Sequence, residues 1–169
     1  MKTAFHIEEK QSIRVVGYFL ETTNQKGEAR KAIPAFWSAI QKDHLDKNLL
    51  AMAKDSTQGL FGIHIYQSDP YDSRKFTYMI AVASDHAVQG DLFAYTIPAR
   101  TWAIFPCTKK AIGKTEVQAI TKWLPKSKYK PLNKGYITGR MKAGAPDIEY
   151  YHADGNVEVW IAVQEKKGV

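Results

Sequence analysis

Apolar and polar positions alternate with period two along Val157-Glu158-Val159-Trp160-Ile161-Ala162-Val163, the last long run of the chain, which predicts a β-strand. Val157, Val159, Ile161 and Val163 share one face, while Glu158, Trp160 and Ala162 share the other. The first face requires a core. The second sets an acid beside a large aromatic and has two readings: the solvated side of an antiparallel sheet, or a pocket that holds one negative charge for an organic cation by Coulomb and cation–π attraction.

The same patterning predicts the other elements. Ile13 to Glu21 is β-branched and aromatic, a strand. Ala29 to His44 carries Ile33, Phe36, Trp37 and Ile40 at helical spacing, with Pro34 in its early turns, and Leu45 to Lys54 is a second short helix. Gly59 to Tyr66 and Lys75 to Ala83 are strands joined by the turn formers Ser68 to Ser73. The order then repeats. Leu92 to Cys107 is a long strand bent or placed at an edge by Pro98. Thr115 to Leu124 is a helix with a stripe of Val117, Ile120, Trp123 and Leu124, stopped by Pro125. Strands Asp147 to His152 and Val157 to Val163 flank the Asp154-Gly155 turn. The expected fold is α+β, with duplicated β-α-β-β units over about residues 11–84 and 91–164 of a single domain spanning 1–169. The units form one antiparallel sheet with the helices on one face.

Composition narrows the class. A chain of 169 residues, 44% of them hydrophobic, can bury one sizeable core. It has no apolar stretch long enough to span a bilayer and no leader pattern, so a soluble, cytoplasmic protein without membrane contact is expected. Cys107 is the only cysteine, which excludes an internal disulfide. Lysine and arginine exceed aspartate and glutamate by 24 to 17, a net charge of +7. Basic residues combine with aromatics in one stretch, where Lys126, Lys128, Lys130, Lys134, Arg140 and Lys142 surround Tyr129 and Tyr136. No phosphate-binding loop, nucleophile elbow or metal-ligand spacing occurs: Thr108 stands where a loop ending Gly113-Lys114-Thr115 needs glycine, and the five histidines are unpaired. No catalytic residue, metal or cofactor is expected.

An ordered series of phrases carries a family likeness. It runs through Ile13-Arg14-Val15-Val16-Gly17-Tyr18-Phe19-Leu20, then Ile33-Pro34-Ala35-Phe36-Trp37, and Phe76-Thr77-Tyr78-Met79-Ile80-Ala81-Val82. Next come Ile97-Pro98-Ala99-Arg100-Thr101-Trp102-Ala103-Ile104-Phe105, Trp123-Leu124-Pro125-Lys126-Ser127, Ile148-Glu149-Tyr150-Tyr151 and the final strand. Together these resemble the GyrI-like effector-binding domain, which also ends AraC-type and MerR-type multidrug regulators. The resemblance implies a pocket between the two halves that takes amphipathic, cationic aromatic molecules against an acidic residue. By resemblance Glu158 leads as the pocket acid, Glu149 is second, and Trp160, Trp37, Tyr78, Trp102, Tyr18 and Tyr151 are candidate walls. Two departures stand out: Ala162 replaces the family's usual proline, and the connection Lys130 to Ala145 is long and basic.

The expected function is therefore non-enzymatic binding of a small hydrophobic cation. The alternatives are a module for a protein partner, such as a regulator or gyrase, and a small hydrolase using Glu149 or Glu158 as general base. With residues 1–12 alone ahead of Ile13, the chain has no family-type helix-turn-helix, and no specific DNA binding is expected. If the +7 charge is a solvated surface, duplex DNA should bind without sequence preference and be lost between roughly 50 and 200 mM salt, as counterion release dictates. A filter-binding titration checks this; salt-resistant, sequence-selective binding would refute it.

Overall fold

The β-branched run after Ser12 extends as expected, and the helix over Ile33 to Ile40 forms on schedule. In the computed structural model, which describes residues 5–55, 58–66, 68–136 and 138–167, the elements run in chain order as follows. The first half contains β1 (His6–Lys10), β2 (Ile13–Thr23), α1 (Glu28–Lys42), α2 (Leu45–Met52), β3 (Leu60–Ile65) and β4 (Lys75–Ala83). The second contains β5 (Phe93–Ile97), β6 (Arg100–Cys107), α3 (Ile112–Gln118), β7 (Tyr129–Pro131), β8 (Asp147–Tyr151) and β9 (Val157–Glu165). The fold is α+β, an antiparallel sheet with its helices on one face.

The sheet order is β1-β6-β9-β8-β3-β4-β2-β5, with β7 added to the end of β9. The triplets β6-β9-β8 and β3-β4-β2 mirror one another about the β8–β3 seam. The flanking strands are exchanged: β1 runs into β2 but pairs with β6, while β5 runs into β6 but pairs with β2. This replaces the single strand expected over Leu92 to Cys107. Pro98 lacks the N–H that a continuous ladder requires, so the chain breaks there and leaves for the other side of the sheet. Ile97 and Arg100 are three Cα steps apart, at most about 11 Å. The last strand of the order, β5, and β6, the second from the other end, must lie that close, so the sheet curls back on itself.

Curling encloses one face completely. Val15, Ile63, Met79, Ile97, Trp102, Ile148 and Trp160 are buried together inside it. On the helix-bearing face α1 sets Ile33, Phe36, Trp37 and Ile40 over Phe76, Tyr78, Ile80 and Val82. There α3 covers Ala103, Phe105, Val159 and Ile161. Both faces of β9 are therefore buried, and the face bearing Trp160 and Ala162 is neither wet nor hollow but packed core. Strand β1 has little apolar patterning. It forms because Ile7 joins the α3 side and Phe5 stacks on Phe105 at 4.8 Å, while its charges blunt an exposed edge.

The helices depart from expectation at their ends. His44 takes a left-handed φ of 57°, so α1 stops at Lys42 and α2 starts afresh. Helix α3 widens by one residue over Ala119–Trp123, where the Leu124 N–H donates to the carbonyl of Ala119 at 2.9 Å. The widened turn sends Ala119 and Leu124 into the core, stacks Trp123 on Phe105 at 5.5 Å, and leaves Val117 62% exposed rather than in the expected stripe. The end of this helix is held by Lys166, whose Nζ donates to the carbonyls of Leu124, Pro125 and Ser127 at 3.3, 2.9 and 2.7 Å. Lys166→Met should lose about 1 kcal/mol, and hence about 2–4 °C of melting temperature at this chain length, readable by calorimetry.

Candidate functional site

The seam between the halves puts carboxylates where a sheet interior ordinarily has none. Period two along β8 aims Asp147, Glu149 and Tyr151 at the helix-bearing face, and Glu149 stands opposite Gly62 of β3. A Cβ at Gly62 would overlap the Tyr78 hydroxyl, so the glycine is what lets Tyr78 cross β3 toward the acid. Tyr151 donates to Glu149 Oε2 at 2.6 Å and Tyr78 donates to the same oxygen at 3.3 Å. Trp37 of α1 completes the set: its Nε1 donates to the Tyr78 hydroxyl at 2.8 Å, and its ring meets Tyr151 edge-on at 4.9 Å. Three aromatic side chains, from α1, β4 and β8, thus enclose one buried carboxylate.

Glu116 approaches from α3, close enough for its carboxyl to feel that of Glu149. It also lines a cleft of about 650 Å³ between the two helices. The floor of the cleft is His64, Tyr66, Asp147, Val159 and Ile161; its sides are Ala29 and Arg30 of α1 and Val117, Ile120 and Thr121 of the α3 region. The β7–β8 connection closes one side with Tyr136, Thr138 and Met141, tied across by the Asn24 amide donating to the Gly139 carbonyl at 3.2 Å. Asp147 takes one phenol on each oxygen: Tyr66 at 2.8 Å and Tyr136 at 2.9 Å.

Burial dominates the electrostatics. The Glu116 carboxyl is held well above the usual glutamate range, first by burial and then by the neighbouring charges of Glu149 and Asp147. Asp147 is also raised by burial, with the phenols of Tyr66 and Tyr136 and the nearby His64 opposing the rise. The phenols of Tyr66, Tyr78, Tyr136 and Tyr151 are pushed up by burial and by the carboxylates they serve, so each remains a proton donor. None of the ion pairs among the described residues reaches Glu116, Asp147 or Glu149, and no group of three or more metal-ligating side chains occurs there. The arrangement can bind a cation and exclude an anion.

The candidate residues from the sequence divide between the two faces. Glu149, Trp37, Tyr78 and Tyr151 come together beside the cleft, and Tyr18 packs on the same face against the core under α1. Glu158, Trp160 and Trp102 lie on the other face, because β9 turns Val159 and Ile161 toward the cleft. Glu158 there accepts from the Trp160 Nε1 at 3.0 Å and pairs with His152 at 3.3 Å. Trp160 and Trp102 pack together at 5.9 Å, with Lys10 4.7 Å over the Trp160 ring. Sequence reasoning passed over Glu116, Asp147, Tyr66 and Tyr136. Glu116 had a legible signal, since it shares a helical face with Ile112, Ala119, Ile120 and Trp123. In the basic stretch Tyr136 turns inward to Asp147 and Tyr129 packs under α3.

With the site in place, one comparison decides the family. The model of the family Cass2, integron-associated effector binding protein, matches residues 6–163. The chain belongs to this family. That agrees with the GyrI-like likeness of its motifs. No curated protein matches it significantly. Among solved structures it is similar to a putative transcription regulation protein of Staphylococcus aureus MU50, at 18% identity and a TM-score of 0.73, over 96% of this chain and 99% of that one. It is also similar to SAV2435 bound to tetraphenylphosphonium, at 19% identity and 0.74, over 95% and 94%. An integron cassette protein from Vibrio cholerae aligns at 18% identity and 0.64, over 95% of each chain. At these identities the likenesses show the fold. No helix among the described residues is long and apolar enough to cross a membrane.

The raised Glu116 has a signed consequence. Its folded value exceeds its unfolded one, so the folded state binds more protons between the two, and the contribution of Glu116 to stability falls as pH rises above the ordinary 4.5. Glu116→Gln should therefore melt higher than the parent near neutral pH, with the gap closing as pH is lowered toward 4.5; melting curves across pH check it.

Proposed function

We propose that this member of the effector-binding family takes amphipathic aromatic cations in the cleft between its halves, with Glu149 and Glu116 as the charge that selects them. One observation carries the reading: Glu116 lines the cleft, and behind it stands the buried Glu149, enclosed by Trp37, Tyr78 and Tyr151, with neither acid in an ion pair among the described residues. A buried acid in such a setting is stabilised by any cation that displaces water, and aromatic rings add cation–π attraction. The relative bound to tetraphenylphosphonium, a permanent organic cation, supports the same ligand class. Glu158 is a structural acid in this reading, tied to His152 and Trp160 on the far face.

The chain acts here as a binder without turnover. A protein partner that senses the loaded state is compatible with that role, whereas the hydrolytic alternative requires the ligand to be consumed. Tetraphenylphosphonium should raise the melting temperature by mass action while the isosteric anion tetraphenylborate should not. Glu149→Gln should weaken cation binding by roughly 1–3 kcal/mol, the scale of a charge-assisted contact, and Glu158→Gln should leave it unchanged. Equal losses at both positions would sink the assignment to Glu149, and recovery of altered ligand by mass spectrometry would favour the hydrolase.

A further inference from the structure

The cleft carries a second acid that the first does not explain. Asp147 is two residues before Glu149 on the same face of β8, roughly 7 Å away along the strand, and it has its own pair of tyrosines. Each of its oxygens accepts one phenol, which leaves each a further lone pair and turns the carboxylate into a fixed, bidentate acceptor. Tyr66 and Tyr136 solvate the charge of Asp147 but do not neutralise it. Arg30 lines the cleft, exposed at its rim, and the Nδ1 of His64 on the floor is buried without a hydrogen-bond partner. Glu116, with Glu149 behind it, forms one acidic locus of the cleft and Asp147 another, with His64 and Tyr66 on the floor between them.

We propose that the preferred ligand is a flat aromatic dication, its two cationic groups held at once by Asp147 and by the Glu116–Glu149 pair. The inference rests on the cleft being the cation site and adds the number and spacing of charges. A single positive charge would leave one acidic locus facing apolar surface with no counter-charge, the arrangement that burial penalises most. Two charges answer both loci. The volume of about 650 Å³ admits a fused ring system between them. Amidinium groups suit the site, because a planar fork of donors matches a carboxylate whose two oxygens are already aligned by Tyr66 and Tyr136.

The test compares two compounds by isothermal titration on the full chain: a naphthalene bearing two amidines at opposite ends, and the same naphthalene bearing one. The bis-amidine should bind at least about tenfold tighter, the factor expected of a second charge-assisted contact. Asp147→Asn should bring that ratio close to one, whereas Glu116→Gln should weaken both compounds. Equal affinity in the parent protein would overturn the dication, while leaving the cleft a cation site. Failure of both compounds to bind, together with tetraphenylphosphonium, would instead remove the cation reading beneath it. A full ratio retained in Asp147→Asn would overturn the role of Asp147. Should that variant fail to fold, the ratio in the parent protein decides alone.

Discussion

A carboxylate in the middle of a sheet, covered by helices, must be solvated by protein or not be there, since an isolated buried charge costs far more than a domain's net stability. Glu149 occupies such a position at the β3–β8 seam, and much of the surrounding structure is what makes it tolerable. Gly62 clears the path, Tyr78 and Tyr151 supply hydroxyls, and Trp37 fixes Tyr78 from the far side. These contacts tie β8 to β4 and α1 through one oxygen. The acid thus fastens the two halves together beside the cleft.

The exchanged strands explain why the other face is buried. With β1 crossing to β6 and β5 crossing to β2, the sheet rolls up and its inner face is filled by Trp102, Trp160, Ile63 and Met79. The helix-bearing face behaves differently because α1 and α3 cover separate clusters, one per half, with the cleft between them. The cleft is the gap between two locally satisfied cores. Duplication produces that gap without any residue being assigned to it.

The fold was legible because each half repeats strong patterns, and the family likeness rested on the same residues. The site was less so. Period two separates Glu158 from Val159 correctly, but it does not say which side the helices cover, and in a sheet buried on both faces an acid beside an aromatic looks the same on either. Glu158-x-Trp160 and Glu149-x-Tyr151 are the same phrase on opposite faces. Exposure of the chain's polar end decides between them: Glu158 reaches His152 at the rim, while Glu149 is held inside. Strand β1 was invisible because it is charged and pairs with a partner distant in sequence. The break at Pro98 was misjudged as a bend because the exchange of strands is a property of the whole sheet. Glu116 was readable from helical spacing, and the widened turn that follows it was not.

Net charge and local charge point in opposite directions in this molecule, and their ranges settle which one a ligand feels. The excess of lysine and arginine gives +7, which at a distance repels a cation. Those charges are dispersed over solvated faces, and at physiological ionic strength their influence fades within about 8 Å. The acids of the cleft act where water is largely excluded, and screening there is weak. In the proposed reading, a cation at the cleft mouth would be governed by Glu116 and Asp147, with Glu149 behind them, rather than by the surface. On that reading the basic exterior would slow the approach of cations without lowering the depth of the well.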